Sequence, residues 1–173
     1  MDNASSPAAP SFLGRVHDGS SKLLFVAAGL ALAAAATLYV FEVTARYAFN
    51  APTTWSGEVV GYALCLVIFL GLPEATRRGA HIAIDIVPST LTGWKAAALL
   101  RTTDALAAAA CLAAGLIAGR EALNQLSRGL MTNAAHPIPR WWITAVIAAG
   151  LLSAALHFLR HALSRHPKGT AAQ

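Results

Sequence analysis

Residues 23–41 read LLFVAAGLALAAAATLYVF, without a single charged side chain. A helix needs about 20 mainly apolar residues to cross the roughly 30 Å hydrocarbon layer of a bilayer, so this run is long enough for one crossing. Outward from it, residues 59–73 supply a second apolar run, bracketed by Glu58 and Glu74. Residues 105–119 supply a third, extended at its N-terminal side by an amphipathic stretch that holds Arg101 and Asp104. Residues 141–159 supply a fourth, interrupted only by His157. The pattern predicts an all-α membrane protein with four transmembrane helices, at residues 23–46, 57–78, 97–124 and 140–162.

Composition supports that reading. Of the 173 residues 56% are hydrophobic and only 12% are Asp, Glu, Lys or Arg, with a mean hydropathy of +0.54. A soluble domain carries about 25% charged residues to wet its surface. Disorder requires low hydrophobicity, and a disulfide scaffold requires more than the 2 cysteines present.

Basic residues set the expected orientation, because loops rich in Lys and Arg stay cytoplasmic. Arg15, Lys22, Arg77, Arg78, Lys95, Arg101, Arg160, Arg165 and Lys168 fall on one side; Arg46, Arg120, Arg128 and Arg140 fall on the other. Both termini are therefore expected in the cytoplasm. The net charge of +5 reads as topology and contact with anionic lipid of the bilayer, with no nucleic acid as partner. Trp55, Trp94, Trp141 and Trp142 all fall at span boundaries, where amphipathic rings are favoured.

Residues 1–20, rich in Ala, Ser and Pro, are expected as a flexible cytoplasmic tail, and residues 164–173 as another. The apolar run after Lys22 is longer than a signal-peptide core and lacks a clear cleavage site, so the first span is expected to stay as an anchor. Ser56 is a candidate cap for the second helix, Glu58 suits its positive pole, and Arg77 with Arg78 suit its negative end before Gly79. Pro73 is a candidate kink. Residues 88–100 are expected as an interfacial amphipathic segment before the third span, with a bend between them. Gly115 and Gly119, like Gly57 and Gly61, lie four apart, the spacing that lets helices approach closely in lipid. They fit either packing inside the bundle or a docking face for another membrane subunit.

Enzyme signatures are absent: there is no phosphate-binding loop, nucleophile elbow, HExxH or CxxC. No catalytic residue, metal site or cofactor is assigned, and Cys65 with Cys111 read as small packing residues. The six His residues raise the alternative of a haem or quinone redox membrane protein. Their positions oppose it: His17 and His166 fall in tails, His81 and His136 in connections, and only His157 and His161 approach a span. No charged residue falls at the centre of a span, where a transporter with its own substrate path carries ionisable or broken-helix features. Glu42 and Arg46 form an i,i+4 pair at one helix end, and Glu74 has Arg77 and Arg78 within one turn.

The ordered motifs Arg46-Tyr47-Ala48-Phe49-Asn50, Trp55-Ser56-Gly57-Glu58, Phe69-Leu70-Gly71 and His81-Ile82-Ala83-Ile84-Asp85 resemble the DctQ-type small integral membrane subunit of tripartite ATP-independent periplasmic (TRAP) transporters. Ile138-Pro139-Arg140-Trp141-Trp142 and Gly150 are similar to that family's entry into its last helix. The resemblance covers residues 24–159. It departs from the family where Gly57 precedes a single Glu58 in place of two consecutive acids, so no paired-carboxylate role is carried over.

The resemblance implies a small permease subunit in the bacterial inner membrane. Its partners would be a large multi-span TRAP membrane subunit, which holds the substrate and sodium sites and moves like an elevator, and a periplasmic solute-binding protein that delivers a carboxylate-bearing solute. The small subunit would be a static scaffold. Arg46, Trp55, Glu58, His81 and Asp85 match the family motifs and are expected in architectural roles. The first three would fix the outer connection, and His81 with Asp85 the inner one. Gly115, Gly119 and Trp141 complete the candidates for structure or subunit contact.

Overall fold

The structure, a computed structural model, describes residues 12–78, 94–134 and 136–164. These form four helices: α1 (Phe12–Ala48), α2 (Ser56–Arg77), α3 (Trp94–Ser127) and α4 (Arg140–Ser164). All four are long and apolar enough to cross a membrane. At 1.5 Å per residue α2 is about 33 Å long and matches the hydrocarbon layer, whereas α1 is about 55 Å and extends well beyond it.

Two boundaries differ from expectation. Residues 12–20, expected within a flexible tail, are the first turns of α1. Side chains of that segment are anchored on α4: the Arg160 guanidinium donates to Asp18 at 2.6 Å, and His17 lies 3.1 Å from His157. From Trp94 onward, the segment expected to lie in the interface is continuous with α3 and not a separate element before the span. Residues 79–93, with Gly79, His81, Asp85 and the start of that segment, lie outside the described residues, as do residues 165–173.

The helices pack in the order α1, α2, α4, α3, through seams between neighbours, and among the described residues no packed seam joins α1 to α3. Burial follows this order: 11% of the apolar window of α1 is buried, against 28% for the central α4. The core is made of small residues. Among the described residues every buried hydrophobic side chain is alanine, at Ala28, Ala35, Ala63, Ala108, Ala122, Ala148, Ala154 and Ala155, while Leu23, Leu30, Leu106 and Ile117 face outward. In lipid no hydrophobic drive separates Leu from Ala, so helices associate where small side chains let them come close. On α1 the buried positions Ser21, Ala28, Ala35 and Glu42 repeat every seven residues. On α3 Ala108, Gly115 and Ala122 repeat at the same interval, with Asp104 one turn before them on the same seam. A single narrow seam of this kind suits a helix with one main neighbour.

Two contacts bring backbones together. At Gly150 of α4 an added Cβ would overlap the carbonyl of Phe69 on α2. That carbonyl stands four residues before Pro73, which lies inside α2 and has no N–H to offer it. Gly115 of α3 faces Leu152 of α4, where an added Cβ would come within 2.9 Å of the side chain. Gly119 has ordinary room beside Ala148, whereas Gly57 and Gly61 face open space in this chain. The α3 end is closed by Gly129 at φ +59°. The Leu130 N–H returns to Gln125 at 3.1 Å and the Gly129 N–H to Leu126 at 3.2 Å, the paired bonds of a Schellman cap.

Gly150→Ala is expected to cost about 1–3 kcal/mol by overpacking. It should lower the melting temperature of the detergent-solubilised chain, while Gly57→Ala should leave it unchanged or slightly raised, as followed by thermal unfolding.

Candidate functional site

Charge is concentrated toward the helix ends, and there the side chains tie segments together. At the α1–α2 connection the hub is Glu42, a buried residue on the α1 seam. One carboxylate oxygen accepts from Arg46, at 2.6 Å from Nη2 and 3.2 Å from Nε. The other accepts from the Ser56 hydroxyl at 2.8 Å, the Thr53 N–H at 3.3 Å and the Thr53 hydroxyl. A carboxylate is a stronger acceptor than a neutral oxygen, and five donors around one fix both strands of the turn. Between them Asn50 takes a left-handed conformation, φ +48°, which Asn tolerates better than most residues. Ser56 therefore does not cap α2 as expected: its hydroxyl is committed to Glu42, the N-cap position is Trp55, and no side-chain cap bond is made.

At the end that carries the termini, Glu74 is fully buried. Arg77 grips it with Nη2 at 2.5 Å and Nε at 2.6 Å, on different carboxylate oxygens. Arg78 adds a bond of 2.7 Å from its Nε, and its guanidinium lies 5.3 Å from the Phe25 ring centre on α1. Two guanidiniums and a planar carboxylate make the charge-assisted geometry that a buried acid requires. Next to this tie, His157 is 1% exposed. Its Nε2 lies 2.9 Å from the Ser21 hydroxyl and 3.1 Å from Nε2 of His17, whose ring also meets Ser153 at 3.2 Å. His17, expected in a tail, is thus the cross-helix partner of His157, because α1 starts early enough to present it. The two ring nitrogens face each other at hydrogen-bond distance, which leaves no room for a haem iron held between them.

The expected site residues fall in three places. Arg46 joins the Glu42 hub. Trp55 and Glu58 line a common cavity with Tyr62 and His136, beside the α3–α4 connection. Gly115 and Gly119 face α4, and Trp141 stands at the α4 start with its ring edge-on to Trp142 at 5.8 Å. The structure does not bring Arg46 and Glu58 together through any described contact. His81 and Asp85 lie outside the described residues. Among the described residues, no group of three or more His, Cys, Asp or Glu is placed to hold a metal ion.

Several positions were not singled out from the sequence. Ser56 and Thr53 as partners of Glu42, and His17 with Ser21, Ser153 and His157, depend on contacts between distant segments, for which local spacing gives no signal. Gly129 did carry one, as a glycine just past a helix; in the structure an antiparallel bridge between Met131 and Pro139 follows it.

Glu42→Gln is expected to free the turn, raising amide exchange over residues 49–58 by about tenfold in hydrogen–deuterium exchange. Arg46→Ala should do so less, since the Arg46 side chain is 54% exposed and supplies only part of the hub.

No curated protein compared with the chain matches it. A family model does. That of the DctQ component of tripartite ATP-independent periplasmic transporters matches residues 35–167, well over half of the chain, from the middle of α1 through all of α4. The chain belongs to this family, and is thus a multi-pass membrane component of a transporter and not an enzyme.

Proposed function

We propose that this chain is the static small subunit that widens the membrane scaffold of a larger TRAP subunit. The larger subunit takes up a carboxylate-bearing solute with sodium, after a periplasmic binding protein delivers it. The proposal places the chain in a bacterial inner membrane with both termini in the cytoplasm, following the excess of Lys and Arg at that end.

The observation that carries the reading is where charge is missing. No Asp, Glu, Lys or Arg occurs between Lys22 and Glu42, Glu58 and Glu74, Asp104 and Arg120, or Arg140 and Arg160. Carriers that handle ions or acids place such groups, or broken helices, near the midplane. Here α2 continues through Pro73, and the carboxylates of Glu42, Glu74 and Asp18 are occupied by cations or hydroxyls of the same chain. The outer faces of α1 and α3 carry long apolar side chains, which suit lipid and a neighbouring membrane protein alike. Arg46 acts through the Glu42 hub. Trp55 and Glu58 support the outer connection, and His81 with Asp85 the inner one.

Deleting the chain beside its large partner should reduce solute uptake in whole cells at least about tenfold; full uptake without it would refute a required scaffold role. Glu58→Gln should lower complex yield or uptake without changing which solute is preferred. A changed solute preference would contradict the assignment.

A further inference from the structure

The first turns of α2 and the entry into α4 enclose a hollow of about 250 Å³, lined by Trp55, Glu58, Val59, Tyr62, His136 and Ile138. Tyr62 and Ile138 also border a second hollow of about 190 Å³, whose other walls are Cys65, Leu66, Trp142, Ile143 and Val146. The two hollows therefore adjoin, and we read them as one groove. Its two ends differ in chemistry along the helix axis. The first holds a carboxylate, an imidazole and aromatic rings at the ends of helices, where a membrane meets water. The second, one to two turns further into α2 and α4, is almost wholly apolar.

We propose that this groove is a binding site for a phospholipid with an ammonium headgroup. The ammonium group sits at Glu58, against the faces of Trp55 and Tyr62, and one acyl chain follows the trough past Leu66 and Val146. Each part of the groove matches a part of that ligand. A carboxylate beside aromatic rings is the combination that recognises ammonium ions, by charge and by the negative ring face. His136 lies on the same wall, where an imidazole N–H can donate to a headgroup phosphate. The two hollows together have the size of small-ligand sites, about 300–1,000 Å³. A cationic side chain of a partner protein would occupy the first hollow but leave the trough to be filled separately. A membrane lipid supplies charge and tail in one molecule, already at the right depth. The inference rests on the membrane-spanning fold and not on the scaffold role.

The test is native mass spectrometry of the full chain in detergent, titrated with dioleoylphosphatidylethanolamine or dioleoylphosphatidylglycerol. The wild-type chain should retain the first about fivefold more tightly or better. Glu58→Gln should bring the two lipids within about twofold of each other, and Val146→Trp, which fills the trough, should weaken both about fivefold. Equal retention by the wild-type chain would overturn the proposal without any variant, because it would mark annular lipid only. A preference that survives Glu58→Gln in a folded chain would overturn the headgroup assignment. Retention of neither lipid would overturn it as well and leave the groove to a protein partner.

Discussion

The carbonyl oxygen of Phe69 lacks its usual helical donor, because Pro73 stands where the N–H should be. In water a solvent molecule would take the place of that donor; in hydrocarbon an unsatisfied backbone group costs several kcal/mol. The chain answers by bringing α4 against the same carbonyl at Gly150, the residue whose missing Cβ makes room for it. A glycine Cα–H directed at a carbonyl is a weak donor, but it excludes lipid and contributes a real electrostatic contact. This approach fixes α4 beside α2. From there α3 docks on the other side of α4 through Gly115 and Leu152, and α1 lies on α2 through Ala28, which faces Gly71. The row of helices grows outward from one backbone contact.

Charge then secures the row only at its ends. Glu42 binds the α1–α2 turn, Glu74 binds the last turn of α2, and Asp18 with His17 holds α1 to α4. Each carboxylate meets donors of its own chain, so the polar side chains in these ties do structural work. That division, small residues at depth and charge at the rims, is what a rigid membrane wall needs. It also explains how a chain with so little charge remains well specified: each of the ties uses groups that have few alternative partners.

Much of the fold was legible in the sequence, for physical reasons that differ by element. The four spans stood out because charge is costly in lipid, so its absence over residues 23–41 has one simple explanation. Glu42–Arg46 and Glu74 with Arg77 and Arg78 were readable because helical neighbours three and four apart meet whatever the tertiary fold. The order of helices was not readable. When Ala lies on every face of α3, the seam of Asp104, Ala108, Gly115 and Ala122 has the same hydropathy as the faces around it. The early start of α1 was hidden by tail-like composition, and it is justified only by partners on α4, well over a hundred residues later. Of the candidate site, Trp55 and Glu58 were found from their motif, but their shared cavity with His136 needed the fold of the α3–α4 connection.

The central claim is that the helices form a row with α2 and α4 inside and α1 and α3 at its edges. The most direct measurement is the distance between spin labels on exposed positions of α1 and α3, Ala33 and Ala113, by pulsed electron resonance of the full chain in lipid nanodiscs, with Cys65 and Cys111 replaced. The row predicts a main separation of more than two interaxial spacings, roughly 20 Å or beyond. A main separation near one spacing, about 10 Å, would mean that α1 and α3 are neighbours in a closed bundle, and would contradict the account.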